Sequence, residues 1–445
     1  MKKNYDVIIV GGGTAGSNLA RLLAKNGVSV VVLERDKEKD VAKRLDIIHF
    51  PFWAFKEFDL TPSKKGDTEY VKEFFTSYSR SALNNYEKHE TNHVVVMHLP
   101  KLIDRLKNEA KKYGADFIFN ANVEDVIKED GKIKGVKATI DGTSEPLFGR
   151  LIVDATGIES NLRRKLNDPY IETFEIDNMH RFFVLLYYVD FNDPKDEVTH
   201  STGWTWYKSW IAPQSSGKGG IIGCGSSVSL DYCRNAMKKF LKDIPLPSYT
   251  INHEETGSTP YTRQPYSLVT DHFFMVGDAA ALTNPLSGEG IALNFSLEKL
   301  ALPILLKGLK DDRLSLEDLW PINYLFQSSE GASDNYLRSS MIGAISTTKE
   351  ENDFMFKENI IFKSDDDKEP DIPKVLLYGV LHKKFSLKSL NFLLKQAGTG
   401  SKLKKLYEDY PKTPKGYSLW VKKADKLWMK AGKVSDLDLI NNKDV

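Results

Sequence analysis

The stretch from Asp6 to Glu34 limits what this chain can fold into more than any other. It reads Asp6-Val-Ile-Ile-Val-Gly11-Gly12-Gly13-Thr14-Ala15-Gly16, continues through Ser17-Asn-Leu-Ala-Arg-Leu-Leu-Ala-Lys25, and closes on Val28-Ser-Val-Val-Val-Leu33-Glu34. The outer two runs are apolar and β-branched, as buried parallel strands are, and Leu19, Leu22 and Leu23 recur between them at helical spacing. This is a βαβ unit. Gly11 and Gly13 let the backbone turn tightly toward a pyrophosphate, and Gly16 lets helix pack close to strand. Thr14 and Ala15 open a helix whose free N–H groups and positive end suit phosphates. Glu34, 18 residues beyond Gly16, sits at a strand tip where a carboxylate can accept from an adenosine ribose, with Arg35 beside it. An acidic tip disfavours a 2′-phosphate, so FAD or NAD is expected over NADP.

Length and composition set the remaining bounds. A chain of 445 residues with a 41% hydrophobic fraction is long enough for two or three globular domains. No apolar run approaches the ~20 residues that span a bilayer, and the first apolar run is broken by glycine, so no secretory signal is expected. Cys224 and Cys233 fit neither a CxxC motif nor a zinc site, which leaves no metal site, no thiol mechanism and a reducing cytoplasm as the expectation. Charge is uneven: residues 372–430 hold 14 lysines against three acids, in a chain whose net charge is +1. A segment of that polarity is expected to face something anionic.

Further along, Tyr70–Phe75 and Thr91–Met97 read as a hairpin, and Pro100–Tyr113 as an amphipathic helix carrying Leu102, Ile103, Leu106 and Ala110 on one face. Residues 170–261 turn to aromatic-rich strands, among them Arg181–Val189, Gly203–Pro213 and Gly219–Gly225, whose Trp and Tyr side chains are candidates for an apolar cavity wall. The run Phe273-Phe-Met-Val-Gly277-Asp278-Ala-Ala280 then precedes Asn284-Pro285-Leu-Ser-Gly288-Glu-Gly290-Ile291 and a long apolar helix. Asp278 can hold ribityl hydroxyls there. A helix starting near Ile291 turns its positive end to the N1 and C2=O edge of an isoalloxazine ring, the edge that carries the charge of reduced flavin.

Leu151-Ile-Val-Asp154-Ala155-Thr-Gly157, with Ser160 and Arg163 following, resembles the second flavin fingerprint of the p-hydroxybenzoate-hydroxylase-like class, which assigns Ala155 and Gly157 to the cofactor. In flavoproteins of this build the segment after the second strand wraps the adenosine, which makes Arg44 a phosphate-contact candidate. The three fingerprints, Trp210-Ile-Ala-Pro213, and Tyr407-Glu-Asp-Tyr410-Pro411-Lys-Thr-Pro414 together are similar to the geranylgeranyl reductase family, especially its archaeal digeranylgeranylglycerophospholipid reductases. The family's YxWxFP motif reads Lys208-Ser-Trp210-Ile-Ala212-Pro213 here, and its cysteine after the second strand is absent.

The resemblance implies an α/β fold: a Rossmann-like FAD-binding domain (1–65, 98–165, 265–330), a β-sheet substrate domain (66–97, 166–264) and a helical, lysine-rich C-terminal domain (331–445). It implies FAD, a polyprenyl lipid substrate whose carbon–carbon double bonds receive hydride from flavin N5, and Trp210, Tyr207 and Lys208 on the substrate side. No second dinucleotide motif follows a strand, so electrons are expected from a ferredoxin-like donor or from NAD(P)H. Peripheral contact with the inner membrane face is expected and nucleic acid is not. The rivals are a flavin monooxygenase or halogenase acting on an aromatic, for which Trp204 and Trp206 are the superficial pointer, and an electron-transfer flavoprotein.

Overall fold

The computed structural model describes residues 3–41, 47–177, 180–195, 201–216, 219–285, 288, 290–345, 347–364 and 367–432. The chain opens on β1 (Asn4–Val10), α1 (Thr14–Lys25) and β2 (Val30–Leu33), and Val7, Ile8, Ile9, Val31 and Val32 are wholly buried, as two-sided parallel strands require. Next come β3 (Ile47–Pro51), α2 (Phe52–Glu57), the hairpin β4 (Tyr70–Arg80) and β5 (Glu87–His98), and the amphipathic α3 (Leu99–Lys112). Strand β6 (Asp116–Ile118) and the meander β7 (Ala121–Glu129), β8 (Lys132–Ile140) and β9 (Thr143–Asp154) lead to α4 (Asn161–Lys165).

The middle of the chain supplies β10 (Arg181–Phe191), β11 (Thr202–Trp204), β12 (Ser209–Ala212), β13 (Gly220–Ser226), α5 (Leu230–Asp243), β14 (Tyr249–Pro260), β15 (Val269–Thr270) and β16 (Phe273–Met275). The rest is helical: α6 (Ile291–Asp311), α7 (Leu316–Phe326), α8 (Ala332–Ile345), α9 (Lys349–Lys357), α10 (Ile372–Leu381), α11 (Leu387–Glu408) and α12 (Tyr417–Ala431).

Two sheets organise these elements. In the first, β1 pairs in parallel with β2 and β9, β9 with β16, and β2 with β6. Parallel pairing brings the C-terminal ends of β1, β2, β9 and β16 to one edge, so Gly11, Glu34, Ala155 and Gly277 share the crevice where such sheets bind ligands. The second sheet runs β14-β10-β13-β12-β11-β4-β5-β3. Strand β3 lies in the stretch expected to belong to the FAD-binding part, yet its antiparallel pairing with β5 places it here.

Side-chain alternation gives the second sheet two faces. Leu185, Val189, Ile211, Ile222 and Cys224 pack against Cys233, Met237 and Phe240 of α5, while Leu186, Tyr188, Ala212 and Ile221 point the other way. The continuous strand expected over Gly203–Pro213 is instead two short strands, because a single turn at Thr205–Tyr207 intervenes and Lys208 takes a left-handed backbone at φ 50°.

The Tyr-Pro tail is a structural clasp. Tyr410 donates to the Tyr266 carbonyl at 2.7 Å, Trp320 Nε1 donates to the Pro411 carbonyl at 2.7 Å, and Trp420 packs edge-on against Tyr266, Tyr407 and Tyr410. Buried rings with satisfied polar ends fasten α11 and α12 to the core of the first sheet.

Candidate active site

At the crevice, each glycine of the first turn has its own reason. Gly11 has φ +111°, and a Cβ there would lie 2.1 Å from the Ala155 carbonyl oxygen; a Cβ on Gly16 would lie 1.9 Å from the Gly11 oxygen. Both close the turn on itself. Gly13, the N-cap of α1, is extended at φ −69°, ψ −166°, and its missing Cβ faces nothing within 4 Å. That opening lies directly before the free N–H groups of Thr14 and Ala15, where a pyrophosphate is best held.

Glu34 is buried at 7% exposure and braces the turn: Oε2 accepts from Gly12 N–H at 2.7 Å and Oε1 from Asp36 N–H at 2.8 Å. Each oxygen keeps a second lone pair for a ribose hydroxyl. Arg35 is exposed beside it. Arg44 lies outside the described residues.

The second and third fingerprints meet the first. The Asp154 carboxylate ends β9 by accepting from the Thr156 N–H (3.0 Å) and hydroxyl (2.6 Å) and from Arg163 N–H (2.8 Å), and the Thr156 Oγ1 accepts from Asn161 N–H at 2.9 Å. Thr156 thereby ties strand to helix. Gly157 and Gly288, at φ +71° and +75°, also face open space. Gly277 starts the turn carrying Asp278, Pro285 is buried, and Gly290 is the N-cap of α6, which begins at Ile291. A Cβ on Gly290 would lie 2.4 Å from the Leu282 oxygen. Asp278 retains part of its surface, and burial alone pushes its carboxyl up to about 6. Its backbone carbonyl accepts from Ala281 N–H at 3.0 Å, and its carboxylate makes no hydrogen bond among the described residues. An unpartnered carboxylate beside open, glycine-lined space fits the polyol and pyrophosphate of FAD.

Two polar clusters that hold this site were not foreseen. Asn294 Oδ1 accepts from Gly277 N–H at 2.7 Å, its Nδ2 donates to Glu298 Oε1 at 2.6 Å, Asn18 Nδ2 donates to Glu298 Oε2 at 2.6 Å, and Asn18 Oδ1 accepts from Arg21. This bridge locks α1 to α6. Asn294 and Glu298 stand one helical turn apart, but in sequence they look no different from Ser296 and Lys299 on the same helix. Burial pushes the Glu298 carboxyl up to about 8 against the pull of both amide donors and Arg21. An unfolded glutamate titrates near ~4.3, so between those pH values the folded chain holds a proton that the unfolded chain has lost. Stability therefore falls as pH rises from about 4.5 to 8. Denaturant titrations at pH 5 and pH 8 are expected to show that fall, and Glu298→Gln to flatten most of it; an unchanged slope in the variant would count against the assignment.

The second cluster is on α8. Arg338 Nη2 donates to the Thr283 carbonyl at 2.8 Å and pairs with Asp334 Oδ2 at 3.3 Å, and Gln264 Nε2 donates to the same oxygen at 2.6 Å. Arg338 is 2% exposed. Burial raises the Asp334 carboxyl while Arg338 opposes that shift. Arg338 thus holds the loop between Asp278 and Pro285 from behind.

The three substrate-side candidates do not stay together. Trp210 packs with the Leu186, Tyr188 and Ala212 face, its ring lying over Gly223 so closely that a Cβ there would be 2.1 Å from Cε2. Phe182 covers Gly225 in the same way at 2.0 Å, and the Lys208 ammonium sits 5.6 Å from the Phe182 ring centre. Two rings laid on a glycine floor make a flat aromatic wall. Tyr207 is on the opposite face, buried against Phe240, its hydroxyl donating to Asp243 Oδ2 at 2.9 Å and its ring under the Lys349 ammonium at 4.9 Å. It does not line the wall with Trp210. Trp204 is 1% exposed in that same core, and Trp206 Nε1 donates to the Thr347 carbonyl, so neither tryptophan stands on the wall. The wall meets the third fingerprint where Thr259, paired with Phe182, bonds Thr283 at 2.9 Å between hydroxyls.

Comparison with known proteins agrees with this geometry. Residues 4–216 match the FAD binding domain family. A digeranylgeranylglycerophospholipid reductase of Sulfolobus acidocaldarius is 24% identical over 95% of this chain and 96% of its own. A geranylgeranyl bacteriochlorophyll reductase-like structure from Thermoplasma acidophilum superposes with TM-score 0.72 at 18% identity, covering 96% of this chain and 100% of that one. The myxobacterial chondrochloren halogenase does so with TM-score 0.64 at 16% identity, over 92% and 97%. The fold and the cradle define an FAD-dependent oxidoreductase, and FAD is its cofactor. Within that class, the match over residues 4–216 is to the FAD binding domain family, and over nearly its whole length the chain is similar to a digeranylgeranylglycerophospholipid reductase.

Proposed function

We propose that this chain hydrogenates carbon–carbon double bonds in the geranylgeranyl chains of a membrane lipid, working from the inner membrane face. The observation that carries the reading is the junction of Thr259 with Thr283, which sets the aromatic wall of Phe182 and Trp210 against the loop that follows Asp278. The names of its relatives support the same substrate class.

FAD, when bound and reduced, would supply hydride to one alkene carbon, and a proton would complete the other. The chain's own residues would hold and position it: Thr14 and Ala15 N–H groups at the pyrophosphate, Glu34 at the ribose, Asp278 at the ribityl hydroxyls, and the α6 N-terminus at the charged edge of the ring. An isolated alkene offers no oxygen to polarise. The wall therefore contributes by excluding water and fixing one alkene carbon near the ring, where placement alone is worth several orders of magnitude. Electrons enter from a ferredoxin-like protein or from NAD(P)H.

Dithionite-reduced protein mixed with a geranylgeranylated glycerolipid is expected to yield products heavier by two hydrogens per bond reduced, read by mass spectrometry; unchanged lipid masses would remove the reading. Trp210→Ala is expected to keep its flavin and lose at least about tenfold in kcat/KM. Tyr207→Phe, on the far face, is expected to stay within about twofold of the parent; equal losses in both variants would contradict the two-faced sheet.

A further inference from the structure

Residues 372–430 were expected as a whole to face an anion. The structure separates them. Helix α10 buries Leu376 and Gly379 on a small core with Phe354, Met355 and Phe385, and Gly379 is so close to Phe354 that a Cβ would lie 2.7 Å from its ring. That contact fixes which side faces out. Lys374, Leu377, Tyr378 and Leu381, at helical spacing, form the outward stripe, with Leu377 at 56% exposure and Leu381 at 70%. Leu387 and Leu394 on α11 are exposed as well, at 63% and 58%.

The charge around this stripe is one-signed. No Asp or Glu occurs from position 372 to 395, whereas Lys383, Lys384, Lys388 and Lys395 are all exposed. None of these four makes an ion pair among the described residues, unlike Lys374, which pairs with Asp371 at 2.8 Å, and Lys404, which lies 3.9 Å from Glu408. No helix among the described residues is long and apolar enough to cross a membrane.

We propose that α10 and the first turns of α11 are the membrane-docking face of this protein, lying in the plane of an anionic bilayer with Leu377, Leu381, Leu387 and Leu394 entering the headgroup boundary and Lys383, Lys384 and Lys388 meeting lipid phosphates. An unpaired basic rim around protruding aliphatic side chains is the composition of an interfacial helix. An acidic protein partner would match the charge but would leave the leucines without a counterpart. The inference rests on the peripheral-membrane part of the proposed function, and it fails separately from the reductase chemistry because its readout involves no turnover.

The test is co-flotation of FAD-loaded protein with phosphatidylglycerol or phosphatidylcholine vesicles. Binding is expected to phosphatidylglycerol only and to weaken as salt rises. Leu377→Glu/Leu381→Glu is expected to abolish it with flavin content unchanged, and each serine replacing Lys383, Lys384 or Lys388 to weaken it about fivefold. Lys422→Ser/Lys423→Ser on α12 is expected to leave it within about twofold of the parent; an equal loss there would mean diffuse charge and overturn the assignment of this face. Emission from an environment-sensitive dye on Leu381→Cys, in a chain whose two native cysteines are buried, is expected to shift to the blue on phosphatidylglycerol vesicles. No flotation, binding indifferent to the leucine changes, or unshifted emission each sinks the proposal.

Discussion

Gly13→Val is expected to give a folded, colourless protein. The backbone at Gly13 is extended, with φ −69° and ψ −166°, a conformation any residue adopts, and no protein atom lies within 4 Å of the position its Cβ would take. Valine there costs the fold within about 1 kcal/mol. Its methyl groups would occupy the space in front of the Thr14 and Ala15 N–H groups, and FAD affinity is expected to fall at least about 100-fold, about 2.7 kcal/mol. Gly16→Val is the contrasting case: its Cβ would lie 1.9 Å from the Gly11 oxygen, so the turn itself must move, at about 1–3 kcal/mol or more. Absorbance of the flavin and far-UV circular dichroism, measured on both variants, separate the two effects. A yellow Gly13→Val protein would show that the pyrophosphate does not pass this turn.

The other large effect is expected at Arg338. Replacing it with methionine removes the donor to the Thr283 carbonyl and leaves Asp334 buried without its cation. Breaking a buried pair from one side costs about 3–5 kcal/mol, and the loop between Asp278 and Pro285 should loosen with it, so flavin release is expected to accompany the loss in denaturant titration. Adding Asp334→Asn to Arg338→Met is expected to restore part of the stability, because the stranded charge is then gone. Purely additive losses would show that the two residues act independently.

How far such residues could be seen in advance depended on their range. The turn at Gly11–Gly16, Glu34 and the run from Gly277 to Ile291 are local patterns, in which spacing along the chain is also spacing in the crevice. The hairpin of β4 and β5 and the amphipathic α3 were likewise readable, because period 2 and period 3.6 are properties of a few adjacent residues. Glu298 and Arg338 gave no such pattern: their partners Asn18 and Thr283 are 280 and 55 positions away, and a buried polar side chain looks like a surface one until its neighbours are known. Strand β3 was missed for the same reason, since its place in the second sheet depends on β5. The separation of Tyr207 from Trp210 was available, as residues three apart on a strand face opposite ways; the turn at Thr205–Tyr207 and the left-handed Lys208 leave that parity intact while breaking the strand.

The bridge from Asn18 to Glu298 also has a consequence for how the chain is made. A ribosome delivers residue 18 early and residue 298 only after roughly two-thirds of the polypeptide has emerged. Until then the first glycine turn has neither the helix that locks it nor the carboxylate of Asp278. The coenzyme must therefore be loaded late, onto a nearly finished chain, and stalled or truncated products ending before that helix should be devoid of flavin.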